Sequence, residues 1–394
     1  MSGGPGRPLT VFLIAGEESG DALGANLMEA ILGSTEGEVR FLGVGGSRMA
    51  RLGLVSMFPM SEINHVGATA IVANLPRIMK RMREAARAIA TASPDVFVMV
   101  DVPGFNLGVA RRVRKWNPRV PIVDYVSPTV WVWRPRRAPR MARFVDHLMA
   151  ILPFEPEVHQ RLGGPPTTYV GHPLIEKLDR LRPAAGERPP RDAVERPTFL
   201  VLPGSRHGEI SRLLDAFGET VARVVAENGP MEVLLPVVPR FADEIRAKTA
   251  AWPVKPEIVE GEQAKYAAFR RSHVALAASG TVTLELALSG VPMVVAYRID
   301  PLAKAFKPIV LKRLHSFVLP NLITGARDVP EFLDQDTSPE RLSAALKPLL
   351  SDTPERRRQL AAFARLDGLM TLDDGTPSSR AAGIVLRAAG RTAG

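Results

Sequence analysis

PTFLVLPGSRHGEISRLL, residues 197–214, has the pattern of a strand, a tight turn and a helix. The apolar run from Phe199 to Leu202 has the length of a buried strand, and Pro203 and Gly204 end it. In such a turn, the first backbone N–H groups of the helix and the positive end of its dipole point just beyond the strand. The stretch therefore predicts either an anion-binding turn or an ordinary strand-to-helix connection.

Two side chains of this turn are candidates for contacts with a phosphate. Ser205 is predicted to be the N-cap of the helix. Arg206 carries a guanidinium that can donate two parallel hydrogen bonds to one phosphate group. Arg206 could equally be an ordinary surface arginine.

A second turn of the same type occurs in the sequence ASGTVTLE, residues 278–285. The hydroxyl and N–H groups of Ser279, Gly280 and Thr281 suit a diphosphate. Glu285 can accept hydrogen bonds from a vicinal diol such as that of ribose, or it only favours the positive end of its helix. Two anion-binding turns in one half of the chain together favour a nucleoside diphosphate.

Strand and helix patterns alternate along both halves of the 394-residue chain, whose length favours two domains. Such alternation predicts parallel sheets covered on both faces, with ligands beyond the carboxyl ends of the strands. The segment Leu181–Pro197 is rich in Pro, Arg and Glu without apolar periodicity, so it is predicted to be a linker. We therefore expect two Rossmann-like halves with a cleft between them.

Asp101 is the candidate general base. It follows the apolar strand pattern of residues 95–100 and would lie at the carboxyl edge of the first sheet, where it could take a proton from a sugar hydroxyl. Glu17 and Glu18, in the first glycine-rich turn, are competing bases. Alternatively, Asp101 only caps the turn before Pro103.

Composition excludes several kinds of chemistry. The chain has no cysteine, which rules out disulfides, thiolate nucleophiles and Cys-ligated zinc. Its seven histidines have no metal-binding spacing, and neither a Walker A lysine motif nor a GxSxG elbow is present. The histidines are therefore expected to be structural or solvent-facing, and hydrolase and NTPase functions are weakly supported. We predict no metal requirement, because Arg206 and the helix N-termini would stabilise a leaving diphosphate electrostatically.

The formal net charge of +10 would attract nucleic acid, anionic lipid or a phosphorylated substrate, or it reflects arginine-rich composition alone. Nucleic acid is disfavoured, because zinc-finger spacing, an RNP-type motif and a long basic tail are all absent. No apolar run approaches the roughly 18 residues needed to span a bilayer.

Residues 65–89 form a basic amphipathic helical pattern. Such a helix either lies on an anionic membrane or packs on the core of its own domain, and Pro76 is expected to break or bend it. The candidate membrane and acyl-chain contacts on its apolar side are Ile71, Val72, Leu75, Ile78 and Met79.

Taken together, the motifs resemble the lipid-A-disaccharide synthase family of inverting GT-B glycosyltransferases. In chain order these motifs are AGEESGD (15–21), DVPGFN (101–106), YVSPTVWVWR (125–134), YVGHPL (169–174), LPGSRHGEI (202–210), ASGTVTLE (278–285), LPNLI (319–323) and PSSRAA (377–382). The resemblance implies an acceptor-binding, membrane-facing domain over residues 1–185 and a UDP-sugar domain over 196–375. A C-terminal helix within 376–394 would cross back to the first domain.

The family resemblance also implies an activity. The enzyme would transfer 2,3-diacylglucosamine from its UDP derivative to the 6-hydroxyl of 2,3-diacylglucosamine 1-phosphate, giving a β-linked disaccharide and UDP without a cofactor. It would be cytoplasmic and peripherally associated with the anionic inner-membrane surface, and a homodimer is compatible with it. The implied partners are these two acylated sugars and the membrane, not nucleic acid.

The resemblance assigns roles to individual residues. Asp101 matches the proposed base of the family, and Glu17 matches the glutamate of its first glycine-rich turn. Arg206 and Glu285 match the arginine and glutamate of the nucleotide site, and Asn321 matches the asparagine of the LPN motif.

Two positions depart from the family pattern. Gly104 stands where the family usually has a second acid, which would leave more of the catalysis to Asp101. Asp334 stands where the family usually has a glutamine that would contact UDP, and Gln335 comes one place late.

Two alternatives to this family assignment stay open. One is another GT-B enzyme or a UDP-sugar epimerase. The other, from a different class, is a non-catalytic basic protein that binds lipid or nucleic acid.

Overall fold

The computed structural model describes residues 7–36, 38–63, 68–132, 134–299 and 315–391, with only the backbone for 68–73. The chain forms two compact α/β units. The first comprises Met1–Ile175 and Leu372–Gly394, and the second comprises Glu176–Thr371. The second unit is therefore inserted in the sequence of the first.

A parallel sheet forms the centre of the first unit, with its described strands in the order β3-β2-β1-β4-β5-β6-β7. The strands are β1 Leu9–Ala15, β2 Val39–Val44, β3 Val55–Ser56, β4 Val96–Val100, β5 Ile122–Tyr125, β6 His147–Ala150 and β7 Thr167–Tyr169. The helices of the main segment are α1 Glu18–Gly33, α2 Ser47–Arg51, α3 Ala68–Ala92, α4 Pro103–Trp116, α5 Arg137–Met141 and α6 Glu155–Leu162.

Both faces of this sheet are buried. All five residues of β4 are buried, as expected for a strand that helices cover on both sides. Along β1, Val11 and Leu13 belong to one core cluster, whereas Phe12 and Ile14 belong to the cluster on the opposite face. The carboxyl ends of these strands are thereby fixed at one edge of the sheet.

The last helix of the chain packs on the first unit. This helix spans Pro377–Ala388, and its N-cap Thr376 accepts a hydrogen bond from the Ser379 N–H at 3.2 Å. Ala381 and Val385 lie in the same core cluster as Leu27 of α1. The C-terminal residues therefore complete a hydrophobic core that the N-terminal residues begin.

Helix α3 differs from its prediction in one respect. It continues from Ala68 to Ala92 through Pro76, so this proline does not break the helix, and the alternative that it bends the helix stays a prediction. A proline removes one backbone hydrogen bond, but tertiary packing compensates, because Met82 and Ile89 are buried in the core. Residues 65–67 of the predicted pattern lie outside the described residues.

The second unit is built around another parallel sheet, with the described strands in the order β10-β9-β8-β11-β12-β13. The strands are β8 Thr198–Leu202, β9 Glu232–Val237, β10 Glu257–Glu260, β11 Val274–Ala278, β12 Met293–Tyr297 and β13 Glu331–Leu333. The described helices of this unit, in chain order, are α7 Leu178–Leu181, α8 His207–Asn228, α9 Ala242–Thr249, α10 Glu262–Arg271, α11 Val282–Leu288, α12 Leu319–Thr324, α13 Pro339–Leu346 and α14 Pro354–Met370; the C-terminal helix described above is α15.

The predicted linker Leu181–Pro197 belongs to the second unit, which begins at Glu176. Arg188 anchors it by donating hydrogen bonds to four backbone carbonyls. Two of these end α10, Phe269 at 2.9 Å and Arg270 at 2.9 Å, and the other two, Ser289 and Gly290, both at 2.7 Å, follow α11. Desolvation of the guanidinium lowers the pKa of Arg188 to about 10. The segment Leu181–Pro197 thus has the composition of a linker, but Arg188 fixes it to the rest of the second unit.

Candidate functional site

The turn after β8 has the predicted strand-turn-helix form but a different cap. Gly204 has φ +122°, and an added Cβ would approach the Glu209 Cβ to 2.6 Å, so this position requires glycine. Arg206, rather than the predicted Ser205, is the N-cap residue of α8. The carboxylate of Glu209 accepts hydrogen bonds from the Ser205 N–H at 3.1 Å and the Arg206 N–H at 3.3 Å.

This arrangement limits what the turn can offer to an anion. Glu209 accepts hydrogen bonds from two backbone N–H groups that the sequence predicted would face an anion. A diphosphate bound at this turn would therefore be held by side chains more than by backbone N–H groups. The Arg206 side chain is 58% exposed and touches Glu209 at 3.3 Å only through one guanidinium nitrogen. Its remaining N–H groups extend the turn as a cationic surface.

A second cation at this turn was missed by the sequence analysis. Arg240 follows β9, the strand beside β8, and donates a hydrogen bond to the Ser205 carbonyl at 3.3 Å. Its guanidinium also lies 4.8 Å from the centre of the Phe241 ring. An arginine three residues after the end of a strand that neighbours an anion-binding turn is the signal that could have identified it.

The turn after β11 lies beside the first one. Strands β8 and β11 pair in parallel, with Leu202 opposite Ala277, so the turns that follow them share one edge of the sheet. Ser279 donates its hydroxyl to the Phe317 carbonyl at 2.6 Å and so supports the turn itself. Gly280 and Thr281 are exposed.

Glu285 is placed below this second turn, on α11, and is only 8% exposed. Lys265, from α10, donates to both of its carboxylate oxygens, at 2.9 and 3.1 Å. The Glu285 carboxylate is therefore part of an ion pair with Lys265. The sequence analysis did not predict this partner.

Asn321 and Asp334 have structural contacts. The Asn321 amide donates to the Val329 carbonyl at 2.9 Å and accepts from the Val329 N–H at 3.0 Å, which uses both ends of the buried amide. Asp334 accepts a hydrogen bond from the Ile299 N–H at 2.8 Å, and Gln335 is exposed. A contact of Asn321 with UDP stays a prediction, whereas the late position of Gln335 predicts no such contact for that residue.

Asp101 follows β4 in a strained backbone conformation. Asp101 and Val102 have φ values of +55° and +47°, a left-handed region that costs non-glycine residues about 1–3 kcal/mol each. The Asp101 N–H donates to the Tyr125 carbonyl at 3.0 Å, and the Asp101 carbonyl accepts from the Asn106 amide at 2.7 Å. Strain held by a buried asparagine is typical of a functional position.

Glu17 lies at the same edge of the first sheet. It is the N-cap residue of α1, and β1 pairs with β4 so that Ala15 is opposite Val100. The turns that contain Glu17 and Asp101 therefore follow neighbouring strands. At Gly104, an added Cβ would meet nothing within 4 Å, so a larger residue would meet no steric barrier there.

Asp124 is an acidic residue that the sequence analysis missed. It lies in β5 beside β4, is 3% exposed, and its Oδ2 has no hydrogen-bond partner among the described residues. Desolvation raises the pKa of Asp124 well above its ordinary value, and the charge of Asp101 raises it further. The sequence signal was a carboxylate inside an apolar strand, one residue before its end.

Buried histidines in the described part of the chain have structural contacts. His159 lies 2.8 Å from the Ser127 hydroxyl, and burial lowers its pKa to about 4. Burial likewise lowers the pKa of His172 to about 4. Within the described ranges, no three His, Cys, Asp or Glu residues cluster as a metal site would require. The absence of a metal requirement stays a prediction.

Solved structures with the same architecture define the fold of this protein. MurG from Acinetobacter baumannii matches 97% of this chain and 100% of its own, with a TM-score of 0.57 at 14% identity. The S. aureus MnaA–UDP complex matches 96% of this chain and 95% of its own, with a TM-score of 0.62 at 13% identity. Two Rossmann-like units in one chain thus give a protein of the GT-B class, as predicted.

The family model described as lipid-A-disaccharide synthetase matches residues 11–370. The chain belongs to the lipid-A-disaccharide synthase family, whose members are glycosyltransferases of lipid A biosynthesis. The lipid-A-disaccharide synthase of Nitrobacter hamburgensis is 52% identical over 376 residues, which cover 95% of this chain and 94% of the relative. That of Rhodospirillum centenum is 41% identical over 387 residues, which cover 96% and 94%.

Proposed function

We propose that this protein transfers 2,3-diacylglucosamine from UDP-2,3-diacylglucosamine to the 6-hydroxyl of 2,3-diacylglucosamine 1-phosphate, with inversion at the anomeric carbon. Membership of the family supports synthesis of the lipid A disaccharide. The observation that carries the donor assignment is the pair of turns after β8 and β11 at one edge of the second sheet. A fold neighbour solved with UDP is consistent with a uridine nucleotide there.

In the proposed donor site, cations balance the leaving diphosphate. Arg206 and Arg240 lie around the first turn, while Gly280 and Thr281 present exposed groups at the second. Ser205 and Ser279 shape the two turns through their backbone and hydroxyl contacts. Fixed positive charge stabilises the negative charge that develops as the bond to the diphosphate breaks.

In the proposed chemical step, Asp101 accepts the proton of the acceptor hydroxyl. The hydroxyl oxygen forms a bond to the anomeric carbon as the bond from that carbon to the diphosphate oxygen breaks, and UDP leaves with the electron pair. Glu17, at the end of the neighbouring strand, is the competing base. Because burial favours the neutral form of Asp124, that residue contributes less negative charge beside Asp101 than an exposed carboxylate would.

A direct assay tests the proposed reaction. Purified protein with the two acylated sugars should form one disaccharide 1-phosphate for each UDP released, and omission of the acceptor should stop UDP release. UDP-N-acetylglucosamine in place of the acylated donor serves as the control for an epimerase or another GT-B activity. Equal turnover of that sugar, or UDP release without the acceptor, would refute the proposal.

Replacing Arg206 by alanine should weaken UDP binding by about 10- to 100-fold, since a charge-assisted hydrogen bond contributes about 1.5–3 kcal/mol. Titration calorimetry with UDP measures this loss. Arg357→Ala is the matched control, because Arg357 is an exposed arginine of α14 that pairs with Asp352 at 2.6 Å. Equal UDP affinity in Arg206→Ala and wild type would remove Arg206 from the site.

The structure narrows the proposed membrane contact of α3. Ile78 and Met79 pack against the core, whereas Leu75 is 48% exposed; the side chains of Ile71 and Val72 lie outside the described residues. The helix also carries basic residues with exposed side chains. We therefore propose that the N-terminal part of α3 contacts an anionic inner-membrane surface. Among the described residues, no helix is both long and apolar enough to cross a bilayer.

Charge reversal on α3 should reduce binding to anionic vesicles. Arg77 and Lys80 are suitable, with side chains 64% and 72% exposed, whereas Arg81 is not, because it binds Glu62 at 2.8 Å and Glu84 at 2.7 Å. Arg77→Glu/Lys80→Glu should lower flotation with phosphatidylglycerol vesicles severalfold, because each basic residue contributes about 1 kcal/mol. Arg357→Glu/Arg358→Glu makes the same charge change on α14. Unaltered flotation of the α3 variant, or an equal loss in both, would contradict the proposal.

A further inference from the structure

Among the residues that the structure describes, Lys265 contacts the proposed ribose-binding carboxylate directly. Its Nζ atom lies 2.9 Å from Oε1 and 3.1 Å from Oε2 of Glu285, so the ammonium faces both oxygens of the carboxylate. The side chains of Glu285 and Lys265 are 10% and 28% exposed. The pair is therefore largely withdrawn from solvent, where an ion pair fixes geometry better than it does at an open surface.

Aromatic rings hold the lysine in place. The Lys265 ammonium lies 4.8 Å from the centre of the Tyr266 ring and 5.6 Å from that of the Phe269 ring, distances at which a cation is attracted to the ring. The Tyr266 hydroxyl donates to Glu262 at 2.9 Å, and Glu262 pairs with Lys177 at 2.7 Å. Desolvation, then the nearby Glu285 charge, raises the pKa of Tyr266, so its hydroxyl stays neutral.

The ion pair leaves the carboxylate able to bind more. A carboxylate offers about four acceptor positions, and one ammonium that faces both oxygens occupies only part of them. The pair also fixes the plane of the carboxylate, which a lone glutamate could rotate at little cost. In addition, it offsets a negative charge next to the place where a diphosphate would lie.

We propose that Lys265 is a positioning residue for ribose recognition: it orients Glu285 so that the free positions of the carboxylate accept hydrogen bonds from the 2′- and 3′-hydroxyls of a ribonucleoside diphosphate. The preference for a ribonucleotide then depends on two residues of different helices, α10 and α11. This inference rests on the proposed donor site, and specifically on the contact between Glu285 and the ribose.

Binding of UDP and 2′,3′-dideoxy-UDP, measured by calorimetry, tests the inference. Wild type should prefer UDP by about 100-fold or more, because two hydrogen bonds to a charged acceptor are lost with the dideoxy compound. Lys265→Met should reduce this preference to within about threefold, and Lys265→Arg should retain most of it. The bare Glu285 charge of Lys265→Met would weaken both nucleotides alike, so the ratio is the readout. Lys248→Met is the matched control, since Lys248 pairs with Glu244 at 3.0 Å on α9.

Glu285→Gln separates this inference from the donor site on which it rests. If Glu285→Gln keeps the wild-type preference, Glu285 does not bind the ribose, and both the contact and the role of Lys265 are refuted. If Glu285→Gln loses the preference but Lys265→Met keeps it, only the role of Lys265 is refuted. The double variant Lys265→Met/Glu285→Gln removes the unpaired carboxylate and should discriminate no worse than Glu285→Gln alone. A further loss in the double variant would show that Lys265 acts by another route.

Discussion

Replacing Asp101 by asparagine should lower kcat for disaccharide formation by about 10²- to 10⁴-fold, the usual contribution of a general base. Asparagine has nearly the same shape and tolerates the left-handed backbone that Asp101 adopts with φ +55°. The Asp101 hydrogen bonds to Tyr125 and Asn106 involve its backbone, so the substitution leaves them in place. The variant should bind UDP with unchanged affinity and lose the step that needs a base.

Two carboxamide variants at the same sheet edge serve as controls for Asp101→Asn. Glu17→Gln tests the competing base at the end of the adjacent strand. Asp124→Asn removes a carboxyl that burial already favours in its neutral form, so it should change kcat at neutral pH only a few fold. Rates are compared as single turnovers with saturating donor and acceptor. Wild-type rates in Asp101→Asn, with the large loss appearing in Glu17→Gln, would transfer the role of base to Glu17.

Replacing Arg188 by methionine should destabilise the second unit by about 3 kcal/mol. Methionine fills much of the same space but donates no hydrogen bond, which leaves four backbone carbonyls at the ends of α10 and α11 without their partner. An unsatisfied, partly buried acceptor costs about 1–3 kcal/mol, and water entering the site recovers some of that sum. Urea unfolding measures the loss of stability, and hydrogen exchange tests whether that loss is located at α10 and α11.

Arg182→Met is the matched control for Arg188→Met. Arg182 belongs to the same segment and forms an ion pair with Asp367, in which both side chains are more than 40% exposed. Exposed pairs contribute at most about 1 kcal/mol, so this variant should be nearly as stable as wild type. Equal destabilisation by the two substitutions would mean that Arg188 is not the anchor of the segment.

Local sequence patterns predicted the parts of the fold that depend on nearby residues. The buried strand and turn at residues 199–204 follow from apolar composition and from Pro203 and Gly204. The chain order of the motifs predicted the GT-B class and the family, which the comparisons confirm. Periodicity also predicted α3, yet it could not show that packing would carry the helix through Pro76.

The errors and omissions share a physical cause, which is that the deciding partner lies elsewhere in the chain. Arg188 belongs to a segment with the composition of a linker, and its partners are carbonyls near residues 270 and 290. Lys265 reaches Glu285 from another helix. No local periodicity encodes such contacts.

The packing of α15 on α1 has a consequence for how the protein is made. A ribosome synthesises the strands of the first unit early, but the helix that completes one of their core clusters comes last, after all of residues 176–371. The inserted unit can thus acquire its tertiary structure while its host still exposes an apolar groove beside Leu27 and Ile31. We expect nascent chains arrested before residue 377 to be captured by chaperones through that groove, and release of the full chain to end the capture.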